Sequence, residues 1–447
     1  MTSEAVEAAL APPELSGAEA LRLHLPAADR AALPPVPFDA SDGLSMDEAA
    51  ILAVVANPRL RAERDRRGVA SAQLLAAGIL PNPELSASFE TPVGGETAGT
   101  VPGWALGLGW DLSALLTRGA RVDAARAHGR QVDLDVAWKE WQVAEGARLH
   151  LVRLALAERS VAEAGRARRL RAETLRAARR AVDLGVATSA DLAAASDALE
   201  RARAAFFEAL SSRDAERVEL DRALGLPAER RVPIEGGARS PIAELLSAPV
   251  PPAAELTAGL EAHRLDLVAL RAGYQSQEAR LRAAVRSRFP AIRIGLEATR
   301  DPENVETAGA GVTIGLPIFD RGQGRIAVEQ ATRRQLFDEY AGRLFEARSE
   351  VARIEAEIGP LGREIAAAGA ALRPLERRAE AERRAAQRGA GDLFAADRAA
   401  ASASARRLER LALDRRLADL TLALEIASGR ELLGTAPAAA PATGGER

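Results

Sequence analysis

The sequence predicts a mainly α chain with a small β part, in which long antiparallel helical hairpins accompany two short β-hairpins. Three observations predict it: one plan written twice, four stretches that alternate apolar with small or polar residues, and a run of 67 residues, Arg118 to Leu184, without proline. Composition narrows the field first. The chain has 447 residues, 60 basic against 63 acidic, for a net charge of −3. That balance argues against a protein built around nucleic acid, which would carry a basic excess on one segment. A single lysine, Lys139, stands among the arginines, and there is no cysteine. Disulfides, thiolate metal sites and a lipidated cysteine are therefore not expected from these residues. His24, His128, His150 and His263 are scattered without metal-ligand spacing, and no apolar run reaches the roughly 18 residues of a membrane-crossing helix. Ala49 to Ala56 follows Asp47 and Glu48 and lacks the basic start of a signal peptide. The expectation is that either this sequence lacks its targeting segment or its start is misplaced.

The duplication orders the chain. Leu60 to Pro83 and Leu267 to Pro290 each span 23 residues, and past each proline come a strand, a loop, a second strand, an Arg-Gly turn and a very long helix. A repeat of this length signals duplication of a whole unit, not a short-period solenoid. The expected division is an Ala/Pro-rich extension over 1–42, a first repeat over 43–224, a linker over 225–253, a second repeat over 254–430 and a disordered tail over 431–447. Single helices are expected over about 44–79 and 254–287, ahead of each hairpin.

The first β-hairpin, 83–112, alternates Leu85, Ala87, Phe89 and Thr91 in one strand and Trp104, Leu106, Leu108, Trp110 and Leu112 in the other. The second, 291–318, alternates Ile292, Ile294, Leu296 and Ala298, then Ala310, Val312, Ile314, Leu316 and Ile318. Period two puts each set on one face. Strands of about 9–11 residues cross a bilayer when tilted, and apolar-out with small-or-polar-in is the pattern of a membrane barrel. Trp104 and Trp110, about 20 Å apart at strand rise, could then serve two interfacial girdles. A half-buried sandwich gives the same alternation. In lipid, four strands cannot close on themselves; three chains would supply twelve, which requires a homotrimer.

The helices favour the extended reading. The proline-free run would measure about 100 Å, far beyond a compact core. Gly185-Val186-Ala187-Thr188-Ser189-Ala190-Asp191 breaks it, and Thr188 with Asp191 reads as a capping box. Leu192, Leu199 and Phe206 then recur every seven residues, with Ala195, Ala202 and Ala209 three places on, a coiled-coil seam. The second repeat follows the same course from Gln323 to Arg388, turns in the tip 389–397 and returns to about Ser428. Gly359-Pro360 and Pro374 are expected to interrupt and kink it.

Leu80-Pro81-Asn82-Pro83-Glu84-Leu85, Leu184-Gly185-Val186-Ala187-Thr188-Ser189 and Leu316-Pro317-Ile318-Phe319-Asp320-Arg321-Gly322 resemble, in that order, the first strand start, the helical tip turn and the fourth strand end of the TolC-like outer-membrane efflux family. Pro374 resembles its heavy-metal-efflux (CzcC-like) branch. The resemblance covers about residues 43–430. It implies a homotrimer with a twelve-stranded barrel in the outer membrane and an α-barrel in the periplasm. It further implies a periplasmic adaptor and an inner-membrane pump as partners. Such a duct, serving efflux or type I secretion, is no enzyme and needs no metal or cofactor. Gly185, Val186, Ala187, Thr188, Asp191, Arg388, Gly389 and Asp392 are the candidates for gating or adaptor contact, although Asp191 and Asp392 could equally only cap helices. Gly309-Ala310-Gly311 imitates a nucleotide loop but enters a strand instead of opening a helix. Arg166, Arg168 and Arg169, like Glu376, Arg377 and Arg378, read as solvated helix faces. The competing class is a soluble, elongated coiled-coil scaffold.

Overall fold

A computed structural model describes residues 43–95, 98–227, 232–234, 245–246 and 250–432. The expected extension over 1–42, much of the linker over 225–253 and all but the first two residues of the tail over 431–447 lie outside the described residues. The named elements run α1 Met46–Ala56, α2 Pro58–Gly78, β1 Glu84–Glu90, β2 Gly103–Asp111, α3 Ser113–Asp183, α4 Ser189–Leu224, α5 Ala253–Thr257, α6 Leu260–His263, α7 Leu265–Arg286, β3 Ala291–Arg300, β4 Glu306–Gly315, α8 Gln323–Gln387 and α9 Leu393–Ser428. No described helix is long and apolar enough to cross a membrane.

Several expectations need correction. The helix expected over 44–79 is two helices, because Asn57 takes the extended conformation required before a proline and Pro58 opens the next helix. The one expected over 254–287 is three, α5 to α7, the last starting after extended Arg264. Conversely, α8 passes unbroken through Pro360 and Pro374. Each proline removes one amide donor; around Pro360, Ile354, Ile358, Leu361 and Ile365 form a buried stripe that holds the neighbouring turns. The fourth strand is Glu306–Gly315 and excludes Leu316, Pro317 and Ile318. Glu306, Thr307 and Ala308 find partners in Arg300, Thr299 and Ala298, whereas Pro317 has no N–H to offer.

The chain divides into two compact units. The first comprises the described parts of Met1–Arg61, Trp138–Arg264 and Glu346–Arg447. Its core gathers Ile51 and Leu52 of α1, Leu151 and Leu154 of α3, Leu220 and Leu224 of α4, and Leu422 of α9. Within this unit side chains link α3 to both α4 and α9, and α9 to α8. Arg168 of α3 stacks 4.2 Å from the Phe206 ring of α4, Arg153 of α3 binds Asp419 of α9 at 2.8 Å, and Arg407 of α9 binds Glu376 of α8 at 2.8 Å. Arg168 and Glu376 are therefore packed between helices, not merely solvated. The duplication shows in matching ends: Gly225 and Gly429, 204 residues apart, cap α4 and α9 in the left-handed conformation. A Cβ on Gly225 would come within 2.9 Å of Asn57 Cα, and one on Gly429 within 2.8 Å of the His263 carbonyl. Each glycine thus packs on the chain just ahead of its own repeat's next helix.

Beside that core is a buried charged cluster. Arg148, whose side chain is 6% exposed, binds Asp47 at 2.7 Å, Glu145 at 2.9 Å and Glu431 at 3.0 Å. Glu145 and Glu425 are fully buried. Burial pushes the Glu145 carboxyl up to about 8; Arg148 opposes the shift and Glu425 adds to it. A carboxyl with a raised folded-state pKa holds its proton longer folded than unfolded, so folding loses stability as pH rises from the unfolded value to about 8. Thermal unfolding at pH 6 and pH 9 is expected to show the lower midpoint at pH 9, and Glu145→Gln to flatten that difference. An unchanged pH dependence in the variant would assign the effect elsewhere.

The second unit, Ala62–Ala137 and Leu265–Phe345, carries one antiparallel sheet in the order β1-β2-β3-β4. Register unites the alternation of all four strands. Leu85, Leu108, Leu296 and Ala310 form one cross-strand row, and Ala87, Leu106, Ala298 and Ala308 the next. The opposite face has the rows Ser86–Gly107–Glu297–Gly309 and Glu84–Gly109–Gly295–Gly311. Beneath the sheet, α7 meets α3 through Ser276 Oγ, which donates to the Ala124 carbonyl at 2.8 Å.

Candidate functional site

Two places carry the candidates: the hairpin tips of the first unit and the sheet of the second. At the first tip, α3 ends in a left-handed turn at Gly185, φ 70°. The Val186 N–H reaches back to the Ala181 carbonyl at 2.9 Å, closing the helix end as a Schellman turn does. Thr188 then caps α4: its hydroxyl accepts from the Asp191 N–H at 3.2 Å, and the Asp191 carboxylate accepts from the Thr188 N–H at 2.9 Å and hydroxyl at 2.7 Å. These bonds hold the Asp191 carboxyl below its ordinary range.

The second tip repeats the backbone with different capping chemistry. Gly389, φ 72°, lies 204 residues after Gly185, and the Ala390 N–H closes on the Ala385 carbonyl at 3.0 Å. Asp392 stands where Thr188 stands; its carboxylate accepts from the N–H groups of Phe394 at 2.9 Å and Ala395 at 3.1 Å. Gly391 and Asp397 have the same spacing as Gly185 and Asp191, but the left-handed turn of the second tip is made by Gly389. Gly391 is required for a different reason, since a Cβ there would meet Ala385 Cβ at 2.8 Å. Asp397 lies inside α9 and pairs with Arg171 and, at 3.0 Å, with the Thr174 hydroxyl. Arg388 Nε donates to the Arg384 carbonyl at 3.2 Å. Leu184 and Val186 stand more than three-quarters exposed, so the first tip presents apolar side chains.

Reading the sequence missed the groups that tie the two hairpins together. Glu163 of α3, its side chain 2% exposed, accepts from Ser404 Oγ at 2.9 Å and from Arg407 at 3.0 Å, both on α9. Burial works against its charge, but the bonds from Ser404, Arg166 and Arg407 outweigh it and hold the carboxyl below the ordinary range. Phe394 packs on Leu175, Ala178, Ala195 and Leu199 of the first hairpin. Between α3, α8 and α9, near the tips, opens a cleft of about 560 Å³ walled by Arg166, Arg171, Glu376, Glu380 and Arg383. Arg398, at 3.4 Å from Asp392, is a further tip cation that the sequence alone did not single out.

On the sheet, Trp104 lies opposite Phe89 and Arg300, and Trp110 opposite Ile294. Both are half-buried on the apolar face, and the Trp110 indole N–H donates to the Pro81 carbonyl at 2.8 Å. Around them Leu85, Phe89, Leu296 and Val312 are each at least 60% exposed, so large apolar side chains cluster on one open face. The other face holds glycines with Glu84, Glu90, Asp111 and Glu297 against Arg293. The outer edges of β1 and β4 have no partner strand among the described residues. No described group of side chains could hold a metal ion.

No protein family and no curated protein matches the sequence. Solved structures do. The chain is similar to CusC, a protein described in terms of folding and transmembrane channel formation, with a TM-score of 0.71 and 19% identity over 86% of this chain and 91% of that one. It is similar to the outer-membrane channel OprN, TM-score 0.69 and 15% identity over 88% and 94%. The outer membrane protein VceC of Vibrio cholerae gives 0.67 and 17% over 86% and 96%. At such identities the likeness is one of fold, and the fold is that of the TolC-like outer-membrane channels.

Proposed function

We propose that this chain is the outer-membrane exit duct of a tripartite efflux or type I secretion system. Three copies would pool four strands each into a twelve-stranded barrel, and their helical hairpins would form a tunnel in the periplasm. The observation that carries the proposal is the sheet. An apolar face lies open to the surroundings and two edges lack partners among the described residues, and in lipid every backbone group must be paired. Closure by two further copies satisfies both edges at once, and the fold shared with outer-membrane channels supports that closure. Trp104 and Trp110 would then anchor the two interfaces of the bilayer, while the glycine-rich, mildly acidic face would line a water-filled bore.

Such a duct conducts passively; the energy would enter at an inner-membrane pump and reach the channel through a periplasmic adaptor. The chemistry left to this chain is to open and close. Gly185 and Gly389 allow the tight turns, and Asp191 and Asp392, whose carboxylates already cap helices, also supply charge at the place where tunnel ends would meet. The charged cleft beside Glu376 and Glu380 offers the adaptor a groove to grip. Pro374, carried within α8, is the residue on which assignment to a heavy-metal branch would rest. The exposed apolar sheet weighs against the soluble scaffold.

Cell fractionation tests the whole reading: a detergent-extracted trimer from the outer membrane is expected, and a water-soluble monomer or dimer would sink it. The tip assignment has its own test. Gly185→Pro and Asp191→Arg are each expected to abolish most of the drug or metal tolerance that the intact system confers while trimer yield stays unchanged. Undiminished tolerance in both would move the gate elsewhere.

A further inference from the structure

The near-neutral charge of the chain tilts to basic where the helices meet the sheet. Residues 111–123, 278–291 and 315–329 hold eight arginines against five acids, Asp111, Asp123, Glu278, Asp320 and Glu329. All three stretches belong to the sheet-bearing unit; one leads out of β2, one leads into β3 and one leads out of β4. Side chains link the helices there. Arg118 Nε donates to the Gly78 carbonyl at 2.7 Å, and Arg325 reaches Ser287 Oγ at 3.3 Å. Asp320 is already engaged, accepting from the Gly322 N–H at 2.8 Å.

Two cavities, of about 440 and 360 Å³, share the Arg286 side chain as a wall. The one at the strand ends is lined by Leu116, Phe289 and Leu316, the last two 67% and 72% exposed. The other lies further along α7 and adds Leu281, Val285 and Arg282, with Glu278 at its rim facing Arg333 at 3.8 Å. Arg282 and Arg286, four residues apart, share one helix face. Moving away from the sheet, the surface therefore runs from apolar strands to an apolar patch, then to Arg286 and Arg282. That is the polarity profile of one leaflet, from acyl chain to phosphate.

Resting on the membrane insertion proposed above, we propose that this arginine collar binds an anionic phospholipid from the leaflet nearest the helices. The acyl chains lie against Phe289 and Leu316, and the phosphate is held between Arg282 and Arg286. Guanidinium forks match phosphate oxygens in geometry as well as charge, and basic residues at a membrane boundary draw anionic headgroups. A zwitterionic headgroup would leave the excess positive charge of the collar uncompensated.

The test reconstitutes the full chain into phosphatidylethanolamine vesicles with and without phosphatidylglycerol, re-extracts it and weighs the lipid that stays bound. Phosphatidylglycerol is expected to be enriched about fivefold or more over its share in the vesicle. The double variant Arg282→Gln, Arg286→Gln is expected to lose that enrichment while still inserting. Insertion without enrichment, or enrichment indifferent to the double variant, overturns the proposal and leaves the channel reading standing. A double variant that shifts ion selectivity in planar bilayers but not bound lipid also overturns it, because the arginines would then line the bore. A chain that enters neither kind of vesicle overturns both the lipid site and the channel.

Discussion

Arg148→Met is expected to destabilise the first unit by about 3–5 kcal/mol at pH 9, above the Glu145 value of about 8, the cost of stranding buried carboxylates without their cation. Arg148 is the hub at which α1, α3 and the end of α9 meet: it binds Asp47, Glu145 and Glu431 at 2.7 to 3.0 Å. Burial opposes its charge, and the surrounding carboxylates overcome that and raise its pKa further. Removing the guanidinium leaves Glu145 and Glu425 facing each other in the core. Thermal or denaturant unfolding of the detergent-solubilised protein measures the effect. The double variant Arg148→Met, Glu145→Gln is expected to recover a large part of it, since one of the orphaned charges is then gone. A loss below about 1 kcal/mol in the single variant, the scale of an exposed ion pair, would mean that water already reaches the cluster.

Leu108→Arg is expected to cost about 2–4 kcal/mol in a bilayer, the penalty for an arginine on the lipid face near the midplane. Leu108 occupies the middle of β2 and the row Leu85–Leu108–Leu296–Ala310. Its control is Ser88→Arg, on the opposite face between Ala105 and the strand edge, where a side chain would meet water in the bore. Folding titrations into vesicles should penalise the first substitution and spare the second. Equal penalties, or the reverse order, would show that the sheet faces have been assigned backwards.

How much of this was legible in the sequence depended on the range of the interaction. Short-range chemistry read well. Thr188 and Asp191 are three residues apart, and their reciprocal bonds follow from that spacing. The strand faces also read well, because period two needs no knowledge of the partner. Where geometry depends on a distant segment, reading failed. Glu163 and Ser404 are 241 residues apart, and nothing local marks Glu163 as buried. Prolines misled in both directions: Pro58 divides a helix that looked continuous, whereas Pro360 and Pro374 sit inside one that looked divided. At Pro360 the difference is packing, since the buried isoleucine and leucine stripe carries α8 across its missing donor. At the second tip, two glycines competed for the left-handed turn. The backbone chose Gly389 and used Gly391 for close approach to Ala385, a choice that spacing alone could not reveal.

In the proposed trimer, the edges of β1 and β4, which have no partner strand among the described residues, would also set an order of biogenesis. A lone subunit would carry its unmatched amides into oil, so insertion would not come before association. Newly made chains would have to be kept apart from unrelated strands until two siblings arrived. Supply of the three siblings, more than the speed of any single chain's folding, would then limit how fast finished pores accumulate.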